Sequence, residues 1–199
     1  MRVLAFSDLH HSSGRAAALV EAAREADLVI GAGDFCNMRR DLRAALDLLS
    51  GIAAPLVLVP GNAESGDELR AAAPEGAHVL HGQGCEIGGL RIFGLGYAVP
   101  VTPFGSWSCD LSEQGAGAML AACEGADILV THSPPKGVAD VTSGGLSVGS
   151  TAIRAAIERL QPALALCGHV HDSWGQEGTI GATRVVNLGP RPNWFEVSA

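Results

Sequence analysis

The chain has 199 residues, 47% hydrophobic and 17% charged, with a formal net charge of −8. That is enough for one sizeable core, so a single domain over residues 1–199 is expected and a disordered chain is excluded. The 13 lysines and arginines form no block or stripe, which excludes a sequence-independent grip on duplex nucleic acid. No run approaches the roughly 20 apolar residues that span a bilayer, and the N-terminus lacks the apolar core of a secretory signal. The five cysteines contain no C-x-x-C pair. A cytoplasmic protein without disulfides or membrane contact is expected.

In chain order, Val3-Leu-Ala-Phe-Ser-Asp8 is an apolar strand that runs into Asp8-Leu-His10. Ser12-Ser13-Gly14 supplies a cap and turn, and an alanine-rich helix follows over Arg15–Glu25. Leu28-Val-Ile-Gly-Ala-Gly-Asp34 is a second apolar strand ending in a carboxylate, and Asp41 is placed to cap a helix through Leu42, Ala45, Leu46 and Leu49. Pro55 opens a third strand that ends at Gly61-Asn62. This βαβαβ alternation predicts parallel strands with right-handed crossovers. A short helix over Asp67–Ala73 is followed by brief strands at 79–82, 85–89 and 91–96 separated by glycine turns, which read as a meander of hairpins in a second sheet or an antiparallel extension.

The stretch 99–109, with two prolines, Phe104 and Trp107, reads as a packed surface loop, with a substrate lid or dimer contact as the less favoured assignment. Helix periodicity returns over Ser112–Glu124, and Ile128–Thr131 leads into His132. The loop 133–149 leaves directly from His132 and is expected to overhang it as a mobile segment. Ser150 caps a last helix with Ile153, Ala156, Ile157 and Leu160 inward, and Leu164–Gly168 ends at His169-Val-His171. The segments near 178–181, 183–189 and 194–197 read as closing antiparallel strands.

Strands buried on both faces of a parallel sheet present ligands just beyond their carboxyl ends. Apolar strands here deliver Asp8, His10, Asp34, Asn62, His132, His169 and His171 to one such edge, a set suited to two divalent ions. On an extended strand end, residues two apart point the same way, so Asp8 with His10, and His169 with His171, are expected to face one cluster. Mixed nitrogen and oxygen donors without thiolate suit manganese first, then iron or zinc, over calcium or magnesium.

The ordered set Asp8-Leu-His10, Gly33-Asp34, Gly61-Asn-Ala-Glu64, Thr131-His132 and Gly168-His-Val-His171 resembles the calcineurin-like metallophosphoesterase superfamily, in its compact phosphodiesterase branch. The resemblance implies a four-layer α/β/β/α sandwich with mixed sheets. It also implies two metal ions bridged by Asp34, one completed by Asp8, His10 and His171, the other by Asn62, His132 and His169. A hydroxide between the ions would be the nucleophile, and a small phosphodiester, with nucleotides among the candidates, the substrate. A phosphomonoesterase acting on nucleotides or phosphoproteins, or a metal-binding interaction scaffold with little catalysis, are the alternatives.

One position departs from the family pattern. The histidine that follows the motif asparagine is replaced by Ala63, which cannot protonate a leaving oxygen. General acid catalysis is commonly worth ~10²–10⁴-fold, so the substitution points to acidic leaving groups, a replacement donor or lost catalysis. His11, beside His10, is the candidate replacement. Glu64 keeps the family's acidic position without a histidine to orient, and Arg39, Arg40 and Lys136 are candidate phosphate contacts that read equally as surface cations.

Overall fold

The structure, a computed structural model, describes residues 1–198. The first sheet has the order β11-β1-β2-β3-β4, built from β1 (Arg2–Phe6), β2 (Leu28–Gly31), β3 (Leu56–Leu58), β4 (His78–Val79) and β11 (Asn193–Glu196). The second has the order β5-β6-β7-β8-β10-β9, built from β5 (Gln83–Ile87), β6 (Leu90–Leu95), β7 (Ile128–Thr131), β8 (Leu164–Cys167), β9 (Glu177–Ile180) and β10 (Thr183–Asn187). Helices α1 (Ser13–Ala22), α2 (Leu42–Asp47), α3 (Gly66–Ala72), α4 (Glu113–Leu120) and α5 (Thr151–Leu160) cover the outer faces.

The period-two alternation of the strands assigns each face. Val3, Ala5, Leu28, Ile30 and Val57 pack against Ile92, Ile128, Val130, Leu164 and Leu166 between the sheets. Leu4, Phe6, Val29 and Leu58 turn outward onto Leu19, Ala45, Leu46 and Leu69 of the first three helices. Leu129, Ala165 and Val185 do the same against Ala116, Leu120, Ile153 and Ile157. The result is the expected α/β/β/α sandwich, and the central strands are uniformly apolar because both faces are buried.

β1, β2 and β3 are parallel in register, as the alternation predicts. The expected meander is corrected. Of its three strands only β5 and β6 form a hairpin; β4 belongs to the first sheet and lies parallel to β3. The closing strands are antiparallel as expected between β9 and β10 and between β11 and β1, while β10 also runs parallel to β8, which was not expected. Glycine turns marked the strand ends, but partner choice depends on which apolar face each strand must bury.

Two caps also differ from expectation. Asp41 has φ +53° and its side chain caps nothing, and the Ser12 side chain likewise makes no cap bond. Ser150 does cap α5, accepting from the Ile153 N–H at 3.1 Å. A capping box at Ser65 and Glu68, not anticipated from the sequence, starts α3.

Glu113, in the first turn of α4, accepts from Ser150 Oγ (2.7 Å), Thr151 N (2.9 Å) and Ala152 N (2.8 Å), and so joins α4 to the N-terminus of α5. Partial burial works against the charged form, but these donated bonds prevail and hold its carboxyl below the ordinary 4.5. Its stabilising contribution is therefore complete above pH 4.5 and is lost as the pH falls through the depressed value. Glu113→Gln should lower the urea midpoint at pH 7 and narrow its gap to wild type as the pH falls below about 4, measured by fluorescence.

Candidate metal centre

The carboxyl ends of β1, β2, β3, β7 and β8 converge at one edge of the sandwich. The side chains there form a connected series. His171 Nε2 lies 3.7 Å from Asp8 Oδ1 and 3.3 Å from His10 Nε2. His10 Nε2 is 3.6 Å from Asp34 Oδ2, while the other oxygen of Asp34 is 3.4 Å from His132 Nε2. His132 Nε2 is 3.1 Å from Asn62 Oδ1, and its ring centroid is 5.0 Å from that of His169. The two Asp34 oxygens thus face two separate donor groups.

The turns that achieve this are not extended. Asp8, His10, His11, Asp34 and His169 all have φ between +47° and +66°. Pairing through strand alternation is therefore corrected: left-handed turns aim these side chains. Asp and His enter that region more readily than most residues, and such conformations persist where the surroundings over-determine them. Leu9 nevertheless packs into the apolar core as expected, whereas Val170, though buried, lines the cleft beside the site.

Two histidines have their tautomers fixed by the backbone. His132 Nδ1 is 2.8 Å from the Ala32 carbonyl, and His10 Nδ1 is 3.1 Å from the Cys36 carbonyl. A carbonyl only accepts, so each Nδ1 carries the hydrogen, and in its neutral form each ring turns an Nε2 lone pair inward. The consequence is acceptor against acceptor: His132 Nε2 faces the Asn62 carbonyl oxygen and an Asp34 oxygen. A cation between them resolves the repulsion, so the donor set fits metal ions. Asp8, His10 and His171 offer ligand atoms within 4.8 Å of one another, as do Asp8, Asp34 and His132.

The field of the carboxylates points the same way. Burial opposes charging of His132, but Asp34 and Asp8 raise its pKa overall. Asp8 is fully buried, which alone would raise it; the hydrogen bonds of His171 and Ser7 and the charge of His132 hold it well below the usual carboxylate range. His169 is pushed down to about 4 by burial and by neighbouring His132, which keeps its ring neutral and free to donate a lone pair.

Supporting residues fix the ligands in place. Glu64, fully buried, accepts from the N–H groups of Asp34 (2.8 Å), Phe35 (3.2 Å), Cys36 (3.4 Å) and Gly61 (2.7 Å). Burial and the nearby Asp34 charge push its carboxyl up to about 7, against the pull of those donors. Asp8 accepts from Ser7 Oγ at 2.5 Å and Trp174 Nε1 at 3.0 Å. Asn187 donates to the carbonyls of Gly168 and Val170, ordering the His169–His171 turn. A Cβ on Gly33 would lie 2.5 Å from His132 Nδ1 and 2.6 Å from Gly61 Cα, so only glycine allows the loops to approach.

Asn62 is oriented by a relay that the sequence did not reveal. Asp110 accepts from Ser108 Oγ at 2.5 Å and from the Thr102 N–H and hydroxyl. With its hydrogen turned to Asp110, Ser108 accepts from Asn62 Nδ2 at 3.1 Å. That leaves the Asn62 carbonyl oxygen facing the centre. In the sequence, only the place of Ser108 within the 99–109 loop, with Asp110 directly after it, points to this pair.

The remaining candidates lie elsewhere. His11 Nε2 is bound to the Arg40 carbonyl at 3.0 Å, and no hydrogen bond joins its ring to the ligand series among the described residues. Arg39 pairs with Glu68 at 2.8 Å, and Lys136 Nζ donates to the Ser147 carbonyl. Ala63 keeps only a backbone role, donating to Asp34 Oδ1 at 2.8 Å.

The chain matches the calcineurin-like phosphoesterase superfamily domain over residues 1–196. It belongs to that superfamily. The superfamily is one of metal-dependent phosphoesterases. It is 28% identical over 196 residues to the UPF0046 protein K07C11.7 of Caenorhabditis elegans, covering 88% of this chain and 65% of that protein. The chain spans less than two thirds of the length of the curated relatives it matches. Among solved structures, TT1561 of Thermus thermophilus shares the fold with a TM-score of 0.73 at 18% identity, covering 99% of each chain. A dimetal phosphatase from Danio rerio gives 0.62 at 15% identity, covering 96% of this chain and 88% of that one.

The relay predicts a selective defect. Ser108→Ala should weaken one of two Mn²⁺ binding events about 10–100-fold by calorimetry and leave the other within a few fold. Ser108→Thr, which keeps the hydroxyl, should restore it.

Proposed function

We propose that the chain, acting as a single domain, is a phosphodiesterase in which Asp34 is shared between two divalent ions. Asp8, His10 and His171 would hold one ion, and Asn62, His132 and His169 the other. The observation that carries this reading is the division of the Asp34 oxygens, one toward His10 and one toward His132, in a site where lone pairs face each other. Manganese suits these donors best. Bound there, two ions supply Lewis-acid stabilisation of the phosphoryl oxygens and lower the pKa of a water. The residues of this chain fix where those ions lie.

A diester is favoured over a monoester on charge. A monoester dianion brings a second negative charge, and two of the cations near the site loops in sequence, Arg39 and Lys136, are engaged with Glu68 and the Ser147 carbonyl. Ala63 offers no proton to a departing oxygen, and His11 is held by the Arg40 carbonyl. Esters with acidic leaving groups, which depart unprotonated, are therefore the preferred substrates.

The test is hydrolysis of bis-p-nitrophenyl phosphate beside p-nitrophenyl phosphate, by metal-stripped protein given Mn²⁺, Zn²⁺ or nothing. Diester turnover should require metal, exceed monoester turnover and fall to background in Asp34→Asn. Two ions bound with no turnover of either ester would instead support the metal-binding scaffold, for which Ala63 is the specific observation.

A further inference from the structure

The large hydrophobic side chains left exposed are not scattered. Val101, Phe104, Val141, Leu146 and Val148 account for all of them among the described residues except Met38 and Trp194. All five belong to the two loops, 99–109 and 133–149, that flank the metal centre. Between these loops lies a cavity of about 470 Å³, with Pro100, Val101 and Phe104 on one wall and Val148 on the other, and with His169 and His171 at its base. That volume lies in the range of small-ligand sites.

Both walls are tied down. Phe104 stacks on Trp107 with centroids 5.8 Å apart and planes 6° apart, and meets the edge of His169 at 6.3 Å. Opposite, Asp140 accepts from Gly137 N, Ser147 Oγ and Gly149 N, and Asp172 accepts from Ser143 N. The 133–149 loop expected to be mobile is thus internally bonded. Apolar side chains held apart around an open cleft cannot hide from water by collapsing onto each other, which marks a surface shaped for a ligand.

We propose that this cleft is a subsite for a neutral aromatic substituent of the phosphoester substrate. The inference rests on the phosphodiesterase reading for the position of the phosphorus. His169 and His171 line the cleft as well as the candidate metal centre, so a group esterified to a phosphorus at the centre lies beside the cleft. No lysine or arginine lines it, and Asp172 stands at one end. A second phosphate or a carboxylate is therefore disfavoured there. The flat Phe104 ring and the prolines favour a ring over a flexible chain, since a ring loses little freedom on binding.

The test compares phenylphosphonate with methylphosphonate, which carry the same anionic head, on the full Mn²⁺-loaded chain. Binding is read by calorimetry and bis-p-nitrophenyl phosphate turnover is recorded on the same sample. Phenylphosphonate should bind at least about tenfold more tightly in wild type. The ratio should fall toward one in Phe104→Ala, and in Val148→Asp, which places a carboxylate on the opposite wall. A ratio near one in wild type, or one unchanged in both variants, overturns the subsite and leaves the patch to a macromolecular partner. The calorimetric ratio needs no turnover, so absent diester hydrolysis would count against the phosphodiesterase reading alone.

Discussion

A single buried carboxylate, that of Glu64, determines where the centre of this site can be. It gathers the N–H groups that follow β2 and the N–H of Gly61 after β3, so the loops carrying Asp34 and Asn62 cannot move independently. Buried backbone donors left without a partner each cost about 1–3 kcal/mol, which makes the loop arrangement and the Glu64 position mutually dependent. Asp34 accepts in turn from Ala63 N, closing the same pair of loops from the other side.

Around that clamp, the converging side chains are held in arrangements that suit a cation and not one another. His10 and His132 each commit a ring N–H to a backbone carbonyl, so their remaining nitrogens converge on carboxylates and an amide oxygen. Left-handed backbone at Asp8, His10, Asp34 and His169 adds conformational cost, of the order of 1–3 kcal/mol per residue. The sandwich beneath tolerates this because its central strands are buried on both faces and fixed by two layers of helix packing. Rigidity in the core permits strain at the edge.

The loops beyond the centre divide the work. In the 99–109 loop and the residue after it, one set of groups (Thr102, Ser108, Asp110) orients Asn62 from behind, while another (Val101, Phe104) faces the open cleft. The 133–149 loop is bonded to itself through Asp140 and to the His169–His171 turn through Ser173 and Asp172. The apolar cleft is thereby built onto the same segments that orient Asn62 and the His169–His171 turn.

The sequence by itself determined the strand ends and the residues they carry. Uninterrupted apolar runs closing on Asp8, Asp34, Asn62, His132 and His169 are legible because burial on both faces leaves no polar position inside a strand. The four layers were implied by the family resemblance of the ordered motifs those strand ends carry. Tertiary structure alone decided what depends on contacts remote in the chain. β4 joined the first sheet beside β3, and β10 lay parallel to β8, with Val79, Val185 and Val186 buried by the layers they enter. Ser108 and Trp174 became supports for Asn62 and Asp8 across 46 and 166 residues, and no local pattern encodes a hydrogen bond over that separation. Strand alternation predicted that Asp8 and His10 share a side, but left-handed turns at both achieve it, because backbone conformation past a strand end is set by what the turn must reach.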